Sequence, residues 1–170
     1  MPEGTEQTEK QEETTMNTTY FDEMTANCIA WENAKKERDA RREQIFQNYG
    51  WKSPEMDAWK AEDQAAVRPY SNGAMKAYFV FKQHCASEAA EVEIDSYCWD
   101  SEYHDFVETL RKLGITEFTL TNHSTALMDN IHGLIAEGCT LIGAHTITKK
   151  CPLWLGEDHE TVKGLLFKVN

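Results

Sequence analysis

The chain has 170 residues, 41% of them hydrophobic, which is enough for one domain with a substantial core and too few for two large ones. Its 29 acidic against 17 basic residues give a formal net charge of -12, a balance that repels nucleic acid and acidic membrane surfaces. No run reaches the ~18 apolar residues of a membrane span, and the N-terminal stretch is acidic and polar where a signal peptide is basic and then apolar.

Residues 1 to 18, rich in Glu, Gln and Thr, offer little to bury and predict a disordered acidic tail. Phe21, Met24, Cys28, Trp31 and Ala34 then recur at helical spacing ahead of "AKKERDARREQIF", so one long helix is expected, with Glu32–Lys36 and Glu37–Arg41 as i,i+4 pairs and Gly50 as its stop. Ser53, Pro54 and Glu55 are a cap, a first-turn proline and an acidic first turn, and start a second helix that Arg68-Pro69 ends. Asn72-Gly73 reads as a turn and as the boundary between a helical region, 19 to 69, and an α+β domain, 70 to 170.

Beyond that turn the aromatic and β-branched "MKAYFVFKQ", 75 to 83, predicts a strand, and "EVEIDSYCW", 91 to 99, alternates with Val92, Ile94 and Cys98 inward. Ser101 is the expected cap of a helix whose inner face is Tyr103, Phe106, Val107, Leu110 and Leu113, closed by Gly114. A strand at "TEFTLT", a helix from Ser124 to about Glu137, and strands at "CTLIGAHTIT" and "KGLLFKV" complete the order. The expected fold is therefore α+β: N-terminal helices, then a mixed sheet in ββαβαββ order with two packed helices and right-handed crossovers between parallel neighbours.

"MKAYFVF", "ITEFTLTNHSTALMDNIHGLIAEGCTLIGAHTI" and "KGLLFKV" together resemble the recurrent core of small uncharacterised proteins encoded by phages and conjugative elements of gut bacteria. The likeness covers about residues 75 to 168. It implies a mobile-element origin and carries no catalytic residue over to this chain.

Few residues form a chemical constellation. Asn122-His123-Ser124 stands where a strand passes into a helix, a place that can bind anions, but it lacks close-approach glycines and a GxSxG elbow, so helix capping by Ser124 or Asn122 is expected, with His123 in a surface loop. His84 and Cys85 are neighbours that point apart if they end a strand. The five cysteines, Cys28, Cys85, Cys98, Cys139 and Cys151, form no CxxC pair and fit reduced thiols in the cytoplasm. Neither Cys98 with His104 nor Cys151 with His159 has the spacing of a zinc knuckle, and no cofactor or metal is expected.

The feature above background is acidic. Glu88, Glu91, Glu93, Asp95, Asp100, Glu102, Asp105 and Glu108 follow one another without a Lys or Arg between them. Along a strand, Glu91, Glu93 and Asp95 project from one face about 6.5–7 Å apart, at ~3.3 Å per residue, a spacing like that of backbone phosphates. With Tyr97, Trp99 and Tyr103 close by, the pattern points to a non-enzymatic binding protein. Its partner surface is expected to comprise Glu91, Glu93, Asp95, Tyr97, Trp99, Asp100, Glu102, Asp105 and Glu108, set against a basic protein such as a nucleic-acid-binding nuclease. In a mobile element that role would be inhibition of a host defence nuclease, of the anti-CRISPR or anti-restriction kind. The alternative is a small hydrolase-like enzyme using His123, Ser124 or paired carboxylates.

Overall fold

The computed structural model describes residues 16–87, 89–150 and 158–170. Most of the expected tail, up to residue 15, lies outside the described residues, as does Glu88. Helix α1 runs Thr18–Tyr49, capped by Asn17 Oδ1, which accepts from Tyr20 N at 3.1 Å, and it stops at Gly50. Helix α2, Pro54–Ala65, starts on Ser53 as expected and folds back along α1. The pairs that tie the two helices together are Arg38–Asp63 and Arg41–Glu62, so Arg41 reaches across to α2 instead of along α1 to Glu37.

The stretch 75 to 83 is not a strand. It belongs to helix α3, Asn72–Ala86, capped by Ser71. Its Tyr78-Phe79-Val80-Phe81 run favours β structure locally, but Ala74, Ala77, Tyr78 and Phe81 fall at helical spacing on one buried face while Phe79 is exposed. Asn72-Gly73 is the first turn of that helix, not a hinge before it. A Cβ on Gly73 would collide with the backbone carbonyl of Glu102, so glycine lets the helix start lie directly on that segment. His84 and Cys85 accordingly sit in the last turn of α3.

A two-residue strand β1, Glu93–Ile94, follows, then a 3-10 turn at Asp100–Glu102 containing Ser101, helix α4 at Tyr103–Lys112, and strand β2 at Glu117–Leu120. Helix α5, Leu127–Ala136, and the long strands β3, Thr140–Lys150, and β4, His159–Lys168, complete the chain. The four strands form one mixed sheet in the order β1-β2-β4-β3. β1 and β2 are parallel neighbours joined through α4, whereas β3, reached through α5, is separated from β2 by the antiparallel β4. From residue 72 the order is thus αβαβαββ; the α+β class holds with its first strand replaced by a helix.

The core lies between α3, α4 and one face of the sheet. Phe81, Phe106, Val107, Leu110 and Leu113 meet Phe118 and Phe167, whose rings stack 5.4 Å apart. The expected inward residues Val92, Ile94 and Cys98 are buried there. The first turns of α1 join the core across the boundary expected near residue 70: Phe21 lies 5.0 Å from the Tyr78 ring and 4.9 Å from that of Phe81. Asn17 N also donates to Leu113 O at 3.0 Å. β4 pairs with β2 only over Leu165–Lys168, while the β3–β4 ladder continues to Lys150 and His159. The outer part of that hairpin therefore projects past β2 as an arm.

Candidate interaction surface

The segment between β1 and α4 is built on three polar anchors. Asn130 of α5, only 2% exposed, accepts on Oδ1 from Cys98 N at 3.1 Å and from the Tyr103 hydroxyl at 2.9 Å, and its Nδ2 donates to Ala126 O at 3.0 Å. Glu102, 7% exposed, accepts from Lys76 Nζ at 2.5 Å and from Trp99 N at 2.8 Å. Lys76 Nζ also donates to Tyr97 O at 2.7 Å and lies 5.6 Å from the centre of the Tyr97 ring. Burial alone would raise the Glu102 carboxyl, yet the Lys76 ammonium and the Trp99 N–H hold it below its ordinary pKa. A buried carboxylate with a cation and an N–H donor is satisfied, and it fixes residues 97 to 102 against α3.

These anchors point two aromatic side chains outward. Trp99 is 63% exposed and Tyr97 38%, their rings edge-to-face at 5.3 Å. Asp95 and Asp100 are exposed beside them in the chain and Asp105 is half-buried. The expected surface thus divides. Asp95, Tyr97, Trp99 and Asp100 remain open, whereas Glu102 is an internal anchor and Glu108 pairs with Arg111.

The row Glu91, Glu93 and Asp95 is broken by the hairpin arm. Glu91 bonds His145 Nε2 at 2.6 Å, and Glu93 pairs with Lys149 and accepts from the Thr121 hydroxyl. Both carboxylates are therefore spent on holding the arm, which runs over the end of β1. Between the arm and the end of α3 lies a cleft of about 720 Å³ whose lining includes His84, Glu91, Glu93, Lys149, Lys150 and His159. His84 Nδ1 is buried there without a hydrogen-bond partner among the described residues.

The Asn-His-Ser triplet forms a turn ahead of α5 and not its cap. Asn122 Oδ1 accepts from Ser124 N at 2.7 Å and Ser124 Oγ from Ala126 N at 3.3 Å, while the helix cap is Ala126, with no side-chain bond. His123 Nδ1 contacts Thr121 O at 3.2 Å, so both His123 and Ser124 engage backbone. On α5, Met128 and Ile135 are exposed, and the buried positions are Asn130 and Leu134. Burial pushes the Cys98 and Cys139 thiols each up to about 11, which keeps them protonated and unreactive at neutral pH. Among the described residues no three His, Cys, Asp or Glu side chains gather as a metal site, and no helix is long and apolar enough to cross a membrane. Cys151 lies outside the described residues.

Sequence reasoning missed Asn130 and the roles of His145 and Lys149. The signal for Asn130 was available: it is the one polar residue at a position of α5 that helical spacing from Leu127 and Leu134 turns inward. Against known proteins, a family model described as a domain of unknown function, DUF7698, matches residues 75–169. No curated protein and no solved structure matches the chain.

Proposed function

The chain belongs to the DUF7698 family, and we propose that it is a non-enzymatic binding protein whose Trp99 face covers a basic surface of a protein partner. The observation that carries this reading is the exposure of Trp99 on a segment immobilised by Asn130, Glu102 and Lys76. An exposed tryptophan costs solubility, and fixing it in advance removes the ordering entropy that binding would otherwise cost, which is the economy of an interface anchor. Asp95 and Asp100 beside it, on a chain of net charge -12, select a basic partner and speed encounter with it.

Basic protein surfaces of this kind are characteristic of nucleic-acid-binding enzymes. In the mobile-element setting that the sequence resemblance implies, the partner is a host defence nuclease in the cytoplasm, and the protein is its inhibitor, of the anti-CRISPR or anti-restriction kind.

The test is affinity capture from the native host with wild type and Trp99→Ala. The expected result is a nucleic-acid-binding protein retained by wild type, competed off by nucleic acid, and lost with Trp99→Ala. Retention of the same protein by Trp99→Ala, or no competition by nucleic acid, would overturn the reading.

A further inference from the structure

The sheet ends on β3, and among the described residues no strand lies on its outer side. Proteins guard such an edge with charges, prolines, short strands or bulges, because its unpaired backbone groups template association, and of these β3 between Thr140 and Thr148 has only the irregularity between Leu141 and Gly143. Here the edge strand is 11 residues long, and Thr140 to Thr148 carry no Asp, Glu, Lys, Arg or Pro in a chain that is 27% charged. Leu141 and Ile142 on the same run are 38% and 56% exposed.

We propose that β3 pairs antiparallel with β3 of a second copy of this chain, joining two four-stranded sheets into one across a two-fold axis near Ala144. The run TLIGAHTIT is self-complementary in that register. Thr140 meets Thr148, Leu141 meets Ile147, Ile142 meets Thr146 and Gly143 meets His145, so no like charges face each other and no histidine faces itself. With Ile142 as the extra residue at the irregularity between Leu141 and Gly143, Leu141 meets Thr146 and Thr140 meets Ile147, and still no like charges face each other. Trp99 follows β1, at the opposite edge of the sheet, and both copies keep it free.

Sedimentation velocity of the full chain should give, at high micromolar concentration, twice the 19.5 kDa of one chain, dissociating on dilution. Ala144 is exposed, and Ala144→Lys and Ala144→Glu each set two like charges against each other at the axis. Each variant alone should be monomeric with an unchanged far-ultraviolet circular dichroism spectrum, and an equimolar mixture should recover the doubled mass. In the wild type, independent of any variant, amide exchange over 140 to 148 should slow as concentration rises. A wild type that stays monomeric, two variants that both dimerise alone, or exchange that does not respond to concentration would each overturn the proposal.

Discussion

The Tyr103 hydroxyl donates to Asn130 Oδ1 at 2.9 Å, and Gly133, one turn further along α5, lies so close to the Tyr103 ring that any Cβ there would overlap it. The contact locks α4 to α5, and because Asn130 also receives Cys98 N, it sets the path of the chain into Trp99. Asn130→Ala leaves a buried N–H and a buried hydroxyl unpaired and should cost about 2–4 kcal/mol of unfolding free energy, whereas Tyr103→Phe, which removes one partner and keeps the packing, should cost ~1 kcal/mol. Urea denaturation measures both. Equal small losses would mean that the network is not what holds this segment.

Lys76 and Glu102 make stability depend on acid. The Glu102 carboxyl is held below its ordinary value of 4.5 in the folded protein, so the unfolded chain takes up its proton first. The stability it contributes is complete above that ordinary value and is lost as pH falls through the depressed folded value. Melting temperature should therefore fall more steeply below about pH 4.5 in wild type than in Glu102→Gln, which cannot titrate. Glu102→Gln should also be less stable at neutral pH, since it leaves the Lys76 ammonium without its carboxylate. Parallel acid profiles for the two proteins would contradict this.

His104 and Glu137 should show the opposite sign. The bond to Glu137, at 2.9 Å, raises the His104 imidazole above its ordinary 6.5. Protonation is favoured by the folded state, and the small stabilisation is present below that value and lost as pH rises through the folded pKa. Because His104 is largely exposed, the readout is its own titration by nuclear magnetic resonance, which Glu137→Gln should move back down.

What the sequence made legible was local. The helix start at Ser53, the inward face of α4, and the strand at Glu117–Leu120 follow from capping chemistry and periodicity within one element, whereas Ser101, the expected cap of α4, sits inside the 3-10 turn and Glu102 takes the cap position without a side-chain bond. Helix α3 was misread because Tyr78 to Phe81 have β propensity, and the choice between strand and helix was made by burial against α4 and Phe21, contacts distant in the chain. The acidic cluster was visible as composition, but its division was not. His145 lies 54 residues from Glu91, Lys149 is about as far from Glu93 in the chain, and only the arm's path over β1 brings them together.

The amino-terminal limit of the fold follows from Asn17. It caps α1 through its side chain and joins α4 through its N–H, while Met16 packs on the core. A deletion through residue 18 should therefore lower the melting temperature, and Asn17→Ala should cost about 0.5–2 kcal/mol. Phe21→Ala, which removes a ring from between Tyr78 and Phe81, should cost ~3–5 kcal/mol. Calorimetry of the three proteins measures these losses, and unchanged midpoints would separate α1 energetically from the rest of the fold.

The carboxylates of the acidic stretch should fall into two classes when reversed. Glu93→Lys places an ammonium beside Lys149 and the Thr121 hydroxyl, and Glu91→Lys confronts His145, so both should destabilise the arm and lower the melting temperature. Asp95→Lys and Asp100→Lys alter exposed positions, for which stability should stay within about 0.5 kcal/mol. Their effect belongs to binding: the association rate with a basic partner should fall, and the fall should shrink as salt rises, because steering is screened over ~8 Å at physiological ionic strength. Trp99→Ala should act on dissociation instead, weakening affinity about 30-fold or more if the indole is the ~2 kcal/mol anchor of the interface. Surface plasmon resonance at two salt concentrations separates these effects. Loss of binding with Glu91→Lys at unchanged melting temperature, together with normal binding by Trp99→Ala, would move the interface off the aromatic face and onto the arm.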